Sequence, residues 1–216
     1  ALGWWCKVLE FGIVEERFWS HPEAPLAHMF VDACGKSARL AYSQHLLSLV
    51  RCVCVRCCAM LFVDGKFHYT DGIPSLAIME QFEARNDRLV VVCCTCVLGW
   101  NAHWLRQITT LEILAISIGL STFQSELKGR KVVVWSDNKG AEGASRKGRA
   151  KAWDHCRLVH DIWAHALHNN THLWVERVPS HDNLSDSPTR GAYEIAESLR
   201  RRSHGVWKSP VVASVY

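Results

Sequence analysis

The chain has 216 residues, of which 49% are hydrophobic and 21% charged, and its formal net charge is +4. This composition supports a buried core and excludes a wholly disordered chain, and the length suits one domain with a short appendage. The longest apolar stretch, Leu89 to Leu98, is shorter than the roughly 18 residues that a membrane-spanning helix needs, so we expect no membrane association.

The beginning of the chain has neither an initiator Met nor a basic region followed by an apolar stretch, so it does not have the pattern of a secretion signal. We therefore expect a fragment of a longer chain that resides in the cytoplasm or nucleus and is not secreted. Within residues 1–25, Leu2, Trp5, Val8 and Leu9 have helical spacing and predict an N-terminal helix.

Three strands are predicted next. Ala27–Cys34 is short and apolar, as is typical of a strand. Residues 61–71 have the pattern of two short strands around Asp64-Gly65, a dipeptide that favours a hairpin turn. Together these segments predict an antiparallel meander.

Helices and strands alternate in the second half of the chain. The patterns predict a helix over residues 107–127, a strand at Lys131–Asp137, a helix from Ala152, a strand at His172–Val178 and a last helix from Pro188 through Leu199. A meander followed by alternating helices and strands predicts a mixed sheet with helices on both faces.

Four acidic residues lie at the ends of these elements or among apolar neighbours: Asp32, Glu112, Asp137 and Asp186. Taken singly, each aspartate suits a turn or a helix start, whereas Glu112 inside TTLEILAI has fewer structural explanations. A carboxylate among apolar groups is costly unless it is compensated, and a divalent cation compensates it. Four converging carboxylates would hold two Mg²⁺ ions, which suits phosphodiester cleavage.

These residues lie in four ordered motifs, FVDACGKS, TTLEILAI, VVVWSDNKGA and WVERVPSHDNLSDSPTRG. In this order the motifs resemble the ribonuclease H domains of retroelement reverse transcriptases, over most of residues 27–195. The last motif is most similar to retroelements that integrate by a tyrosine recombinase. Proofreading exonucleases differ by an acid where this chain has Cys34, and transposases lack an equivalent of Glu112.

The resemblance implies an α/β ribonuclease H-like fold, with a mixed five-stranded sheet made of a three-stranded antiparallel meander plus parallel strands. It implies hydrolysis of the RNA strand of RNA–DNA hybrids with two Mg²⁺ or Mn²⁺ ions. Asp32, Glu112, Asp137 and Asp186 would be the metal ligands, and His181 would assist catalysis. The parent polyprotein would contain a reverse transcriptase. A catalytically silent domain that only binds nucleic acid, or serves as a structural remnant, is the alternative.

Positive charge is concentrated in residues 128–157, which hold nine Lys and Arg against three Asp and Glu, so that the +6 of this segment exceeds the charge of the whole chain. Because phosphates attract such residues, we expect nucleic acid to contact the basic run at 145–151, beside the proposed metal site, and the residue after Asp137. These are Asn138, Arg146, Lys147, Arg149 and Lys151. Trp153 next to them is expected to continue the apolar stripe of its helix.

The resemblance divides the chain into an N-terminal helix at 1–25 from a preceding reverse transcriptase or connection region, a ribonuclease H-like domain at 26–200 and a tail at 201–216. Two Cys-rich segments, about 42–60 and 89–106, do not fit and are interpreted as insertions. They contain seven of the ten cysteines. A shared zinc site, a family-specific insertion with buried thiols and translated intron sequence are the three explanations, and the third is slightly favoured.

Overall fold

The computed structural model describes residues 24–39, 51–74 and 108–212, without the side chains of 35–39 and 51–55. Within these ranges the strands are β1 (Leu26–Arg39), β2 (Arg51–Val63), β3 (Lys66–Gly72), β4 (Lys131–Ser136) and β5 (His172–Arg177). The helices are α1 (Ile108–Thr122), α2 (Gln124–Leu127), α3 (Lys139–Lys147), α4 (Trp153–His168), α5 (Asp186–Thr189) and α6 (Glu194–Arg202), with a 3-10 turn at Ser180–Asp182. The predicted N-terminal helix and the second Cys-rich segment lie outside the described residues.

The five strands form one mixed sheet in the order β3-β2-β1-β4-β5. β1 and β2 pair antiparallel, as do β2 and β3, while β4 lies parallel to both β1 and β5. The predicted meander with added parallel strands is therefore confirmed. The hairpin turn also has the predicted position, because Asp64 and Gly65 both adopt positive φ between paired Val63 and Lys66.

Helices pack on both faces of the sheet, as predicted. One face packs against α1 and α4 in the larger core, to which Met29 of β1 and Ile162 of α4 belong. The other face packs against α6 in a smaller core around Met60, Phe67 and Ala196. The approach of α1 is close, because a Cβ atom on Gly119 would lie 2.8 Å from the Met29 sulfur.

The first Cys-rich segment differs from its interpretation as a separate insertion, because residues 51–60 belong to β2. Successive strand residues point to opposite faces, so a strand with helices on both sides is apolar throughout. Cys57 accordingly lies in the larger core and Cys58 in the smaller one. The Val-Cys alternation at 52–55 extends β2 alongside β1, before the pairing with β3 begins at Cys57. Residues 42–50 lie outside the described part.

Three helix boundaries also differ from the predictions. The helix predicted over 107–127 is divided at Phe123 into α1 and α2. The last predicted helix is divided into α5 and α6 around Gly191, whose positive φ ends the first of them. Helix α3 was not predicted, although Asn138 caps its start and Gly148, at positive φ, ends it.

Beyond α6, residues 205–210 lie along the outer edge of β3. The backbone N–H of Tyr69 donates to the Val206 carbonyl, and that of Lys208 donates to the Tyr69 carbonyl. A Cβ atom at Gly205 would lie 1.4 Å from the Phe67 carbonyl oxygen, so only glycine fits there. This edge-covering tail is part of the predicted C-terminal segment 201–216.

Candidate metal centre

Asp32 lies on β1, opposite Cys58 of β2, and its side chain points to the face that carries the smaller core. The residue is 4% exposed. Its Oδ2 atom accepts a hydrogen bond from the Thr189 hydroxyl of α5. Burial, together with the negative charges of Asp137 and Asp186, raises the pKa of Asp32 to about 6 despite this hydrogen bond.

Glu112 lies in the second turn of α1, a helix whose residues from Thr110 to Leu120 are all buried. Its Oε1 atom accepts a hydrogen bond of 3.4 Å from the backbone N–H of Ala33 on β1, while Oε2 is buried with no hydrogen-bond partner. Burial and the charges of Asp32 and Asp137 raise the pKa of Glu112 to about 9. The helix thus holds a buried acidic group that the protein compensates only in part.

Asp137 follows the last residue of β4 and is only half-buried. Because β4 runs parallel to β1, the residue after β4 lies at the same end of the sheet as Asp32. One carboxylate oxygen from each of Asp32, Glu112 and Asp137 lies within 4.8 Å of the other two. The structure therefore brings three of the four carboxylates of the sequence analysis together.

Asp186, the fourth carboxylate, begins α5 beside this group. Its Oδ1 atom accepts a hydrogen bond of 2.7 Å from Nε of Arg190, and the two side chains form an ion pair. Its charge contributes to the raised pKa values of Asp32 and Glu112, which indicates that it lies near them. Asp186 is outside the three-residue group, and its role as a ligand stays a prediction.

The segment that carries Asp186 is attached directly to β1. The buried Asn183 side chain donates a hydrogen bond of 2.9 Å to the Val31 carbonyl and accepts one of 2.7 Å from the buried Ser185 hydroxyl. Thr189, six residues further on, donates to Asp32. The sequence analysis missed Thr189, for which the available signal was its place three residues after Asp186 in a short helical turn.

His181 is placed differently from the carboxylates. It lies in the 3-10 turn with 81% of its side chain exposed, and its Nε2 atom is 3.3 Å from Oδ2 of Asp182. The three-carboxylate group includes no histidine within the residues searched. A catalytic role for His181 stays a prediction.

The predicted nucleic-acid-binding residues follow Asp137 in α3 and the loop after it. Asn138 caps α3, because its Oδ1 atom accepts hydrogen bonds from the backbone N–H groups of Gly140 and Ala141. Arg146 forms an ion pair with Glu142, and its guanidinium carbon lies 4.4 Å from the centre of the Trp174 ring. The other three basic residues are exposed: Lys147, Arg149 and Lys151.

Trp153, expected to be part of an apolar stripe, is 50% exposed. It begins α4, directly after the basic loop. The buried apolar residues of α4 begin further on, at Leu158, so Trp153 does not continue this stripe as expected.

The donor atoms of the carboxylate group fit a hard divalent cation. Mg²⁺ and Mn²⁺ prefer oxygen ligands, and the unpartnered Oε2 of Glu112 is an acceptor for which the surrounding protein supplies no donor. A cysteine-based zinc site finds no counterpart among the side chains that the structure describes. Burial raises the pKa values of the Cys57 and Cys58 thiols well above their usual range, which disfavours the thiolates that zinc requires.

Comparisons with known proteins give matches at the level of structure. No family model matches the chain, and no curated protein matches it. The N-terminal RNase H domain of a Mycobacterium tuberculosis protein, solved as a fusion with maltose-binding protein, is similar at 13% identity and a TM-score of 0.44, over 80% of this chain and 99% of that one. RNase H1 from Halobacterium salinarum is similar at 11% identity and a TM-score of 0.43, over 77% and 99%.

These structural neighbours are thus RNase H domains of low sequence identity, and the similarity concerns the overall path of the chain. Within the described ranges, no helix is long and apolar enough to cross a membrane.

Proposed function

We propose that this domain is a metal-dependent endonuclease that hydrolyses the RNA strand of RNA–DNA hybrids. The observation that carries the proposal is the convergence of Asp32, Glu112 and Asp137 from β1, α1 and the end of β4, with oxygens within 4.8 Å of one another. Like charges at this distance raise each other's pKa values, so the arrangement is unfavourable for the protein alone and favourable for cation binding.

Asp32, Glu112 and Asp137 would hold the metal, with Asp186 as a fourth ligand from α5. Two Mg²⁺ or Mn²⁺ ions in such a site supply an activated water and stabilise the leaving oxygen of a phosphodiester. Asp137 is the most accessible of the three, whereas Asp32 and Glu112 are buried. His181, on its exposed turn, would assist proton transfer.

The basic residues after Asp137 support a nucleic-acid substrate. The exposed side chains of Lys147, Arg149 and Lys151 would contact phosphates near the carboxylates, together with Arg146 and the Asn138 turn. The choice of an RNA–DNA hybrid follows from the four motifs that resemble retroelement ribonuclease H domains. On the same basis the chain belongs to, or derives from, a retroelement polyprotein with a reverse transcriptase, acting in the cytoplasm or nucleus.

The direct test is cleavage of a labelled RNA–DNA hybrid by the full chain with Mg²⁺. Asp137→Asn keeps the size of the side chain and removes the charge of the accessible ligand, so we expect it to abolish cleavage, as a chelator should. RNA duplex and DNA duplex of the same sequence serve as substrate controls. Cleavage that survives both the substitution and the chelator would overturn the proposal.

The alternative is a catalytically silent domain that binds nucleic acid or is a structural remnant. The exposed basic residues permit binding without cleavage. Folded wild-type protein that binds the hybrid, yet leaves it intact with either Mg²⁺ or Mn²⁺, would establish the binding module in place of the enzyme.

A further inference from the structure

Two neighbouring residues of β1 receive hydrogen bonds from one short segment at the far end of the chain. Asn183 donates to the Val31 carbonyl, and Thr189 donates to the carboxylate of Asp32, the next residue. Asn183 and Thr189 are 4% and 6% exposed, so water does not replace these contacts freely. The segment 183–189 is therefore attached to β1 at the position of the carboxylate group.

The hydrogen bond to Asp32 distinguishes its two oxygens. Oδ2 accepts from Thr189, which leaves Oδ1 without that contact. A side-chain carboxylate that turns freely presents either oxygen, whereas one held by a hydroxyl presents a preferred oxygen. Groups that orient metal ligands in this way raise the affinity of the site because they remove unproductive orientations.

The Thr189 hydroxyl also lies 2.8 Å from the carbonyl oxygen of Asp186 in the first turn of α5. The single hydroxyl hydrogen can serve only one acceptor at a time, and the carboxylate, being charged, is the stronger one. Thr189 thus lies between Asp32 and the backbone of Asp186.

We propose that Thr189 is a positioning residue of the metal centre, which holds the Asp32 carboxylate in its binding orientation from α5. The proposal rests on the proposed function, because it concerns the same carboxylates. It assigns to Thr189 a role through Asp32 and no contact with substrate or metal.

The test compares two substitutions in the full chain. Thr189→Val keeps the shape of the side chain and removes the hydroxyl, whereas Thr189→Ser keeps the hydroxyl. Calorimetric titration of the protein with Mn²⁺ gives the metal affinity and does not require the protein to be an active enzyme. We expect Thr189→Val to weaken Mn²⁺ binding about 10- to 100-fold and Thr189→Ser to bind within about threefold of wild type.

Thr171→Val is the matched control. Thr171 is 3% exposed and also donates through its hydroxyl, to the Leu127 carbonyl at 3.1 Å. It precedes β5, and β5 begins opposite Lys131, at the other end of the parallel strands from Asp137. We expect this variant to lose stability without any change in Mn²⁺ affinity.

Cleavage assays divide the effect further. For Thr189→Val we expect the Mg²⁺ concentration for half-maximal cleavage to rise while the KM for the hybrid stays constant. Wild-type Mn²⁺ affinity in Thr189→Val, or equal losses of Mn²⁺ affinity in Thr189→Val and Thr171→Val, would overturn the positioning role. Neither result would contradict the proposed function. Wild-type protein that binds no Mn²⁺ and cleaves no hybrid would overturn the proposed function, and the role of Thr189 with it.

Discussion

Two aspartates in one row of the sheet have opposite surroundings. Asp32 of β1 and Asp71 of β3 both pair with Cys58 of β2, one on each side, so the two side chains share a face. Asp71 accepts hydrogen bonds from Arg56, Tyr193 and Trp207 at 2.8–3.1 Å. Within the described part of the chain, Asp32 accepts a single side-chain hydrogen bond, from Thr189, and lies among other carboxylates.

The two aspartates differ in how far the protein compensates their charge. The protein itself supplies the positive charge and the donors that Asp71 needs, so this residue connects β2, β3, α6 and the edge-covering tail. At the group of Asp32, Glu112 and Asp137, the protein supplies more negative charge and leaves an oxygen of Glu112 without a partner. Uncompensated charge of this kind is typical of sites that await a ligand.

The largest expected effect is that of Glu112→Gln on cleavage. The substitution removes the charge of a proposed, buried metal ligand, and we expect hybrid cleavage to fall more than about 100-fold, beyond what loss of a supporting group costs. Without metal, the same variant should be more stable than wild type at pH 8, because Glu112 must take up a proton on folding at that pH and glutamine need not. Urea unfolding and a cleavage assay measure the two effects. If Glu112→Gln loses both activity and stability, the carboxylate group is no different from Asp71, whose contacts stabilise the fold.

Asp71→Ala should act in the opposite direction. It leaves three donors without their acceptor, and we expect a loss of about 1–3 kcal/mol in the free energy of unfolding. Because Asp71 is not among the proposed ligands, cleavage below the unfolding temperature should persist. Asp182→Ala is the control, since the Asp182 side chain is 60% exposed and pairs with His181 at the surface. Equal losses in the two variants would show that the Asp71 contacts contribute little.

The third prediction concerns pH in the absence of divalent cations. The pKa of Glu112 is raised from 4.5 to about 9, so the folded state binds its proton more tightly than the unfolded state does. The resulting stabilisation is fully present below pH 4.5 and is lost as the pH rises towards 9. Unfolding midpoints between pH 5 and pH 9 should therefore fall for wild type, and less so for Glu112→Gln. Parallel profiles for the two proteins would contradict the burial of a proton on Glu112.

Arg190→Gln should have the smallest effect. The ion pair with Asp186 is partly exposed, with 48% of the Arg190 side chain accessible, so we expect a change in stability below about 1 kcal/mol. Because the variant leaves the site more negative, Mg²⁺ should raise its melting temperature more than that of wild type. A smaller rise in melting temperature with Mg²⁺ in the variant would mean that Arg190 favours Mg²⁺ binding and does not oppose it through its positive charge.

The sequence was sufficient for the order of the strands and of the two longest helices, and for the convergence of Asp32, Glu112 and Asp137, because strand ends and one buried helix position are visible in local patterns. It was insufficient for the first part of β2, because the cysteine-rich pattern around Cys57 and Cys58 does not resemble a typical strand. Only the pairing with β1 reveals that each of these cysteines is buried in one of the two cores. Thr189 and Asp71 were missed because their roles depend on residues more than 100 positions away.

The edge-covering tail has a consequence for the order in which the fold is completed. Trp207 donates a hydrogen bond to Asp71, a residue that precedes it by 136 positions and is therefore synthesised earlier. While a ribosome synthesises the intervening residues, the outer edge of β3 has no partner from the tail, and an open strand edge is where other chains add. Completion of this edge is therefore a late event, and slow translation between the two segments would lengthen the time during which nascent chains can associate.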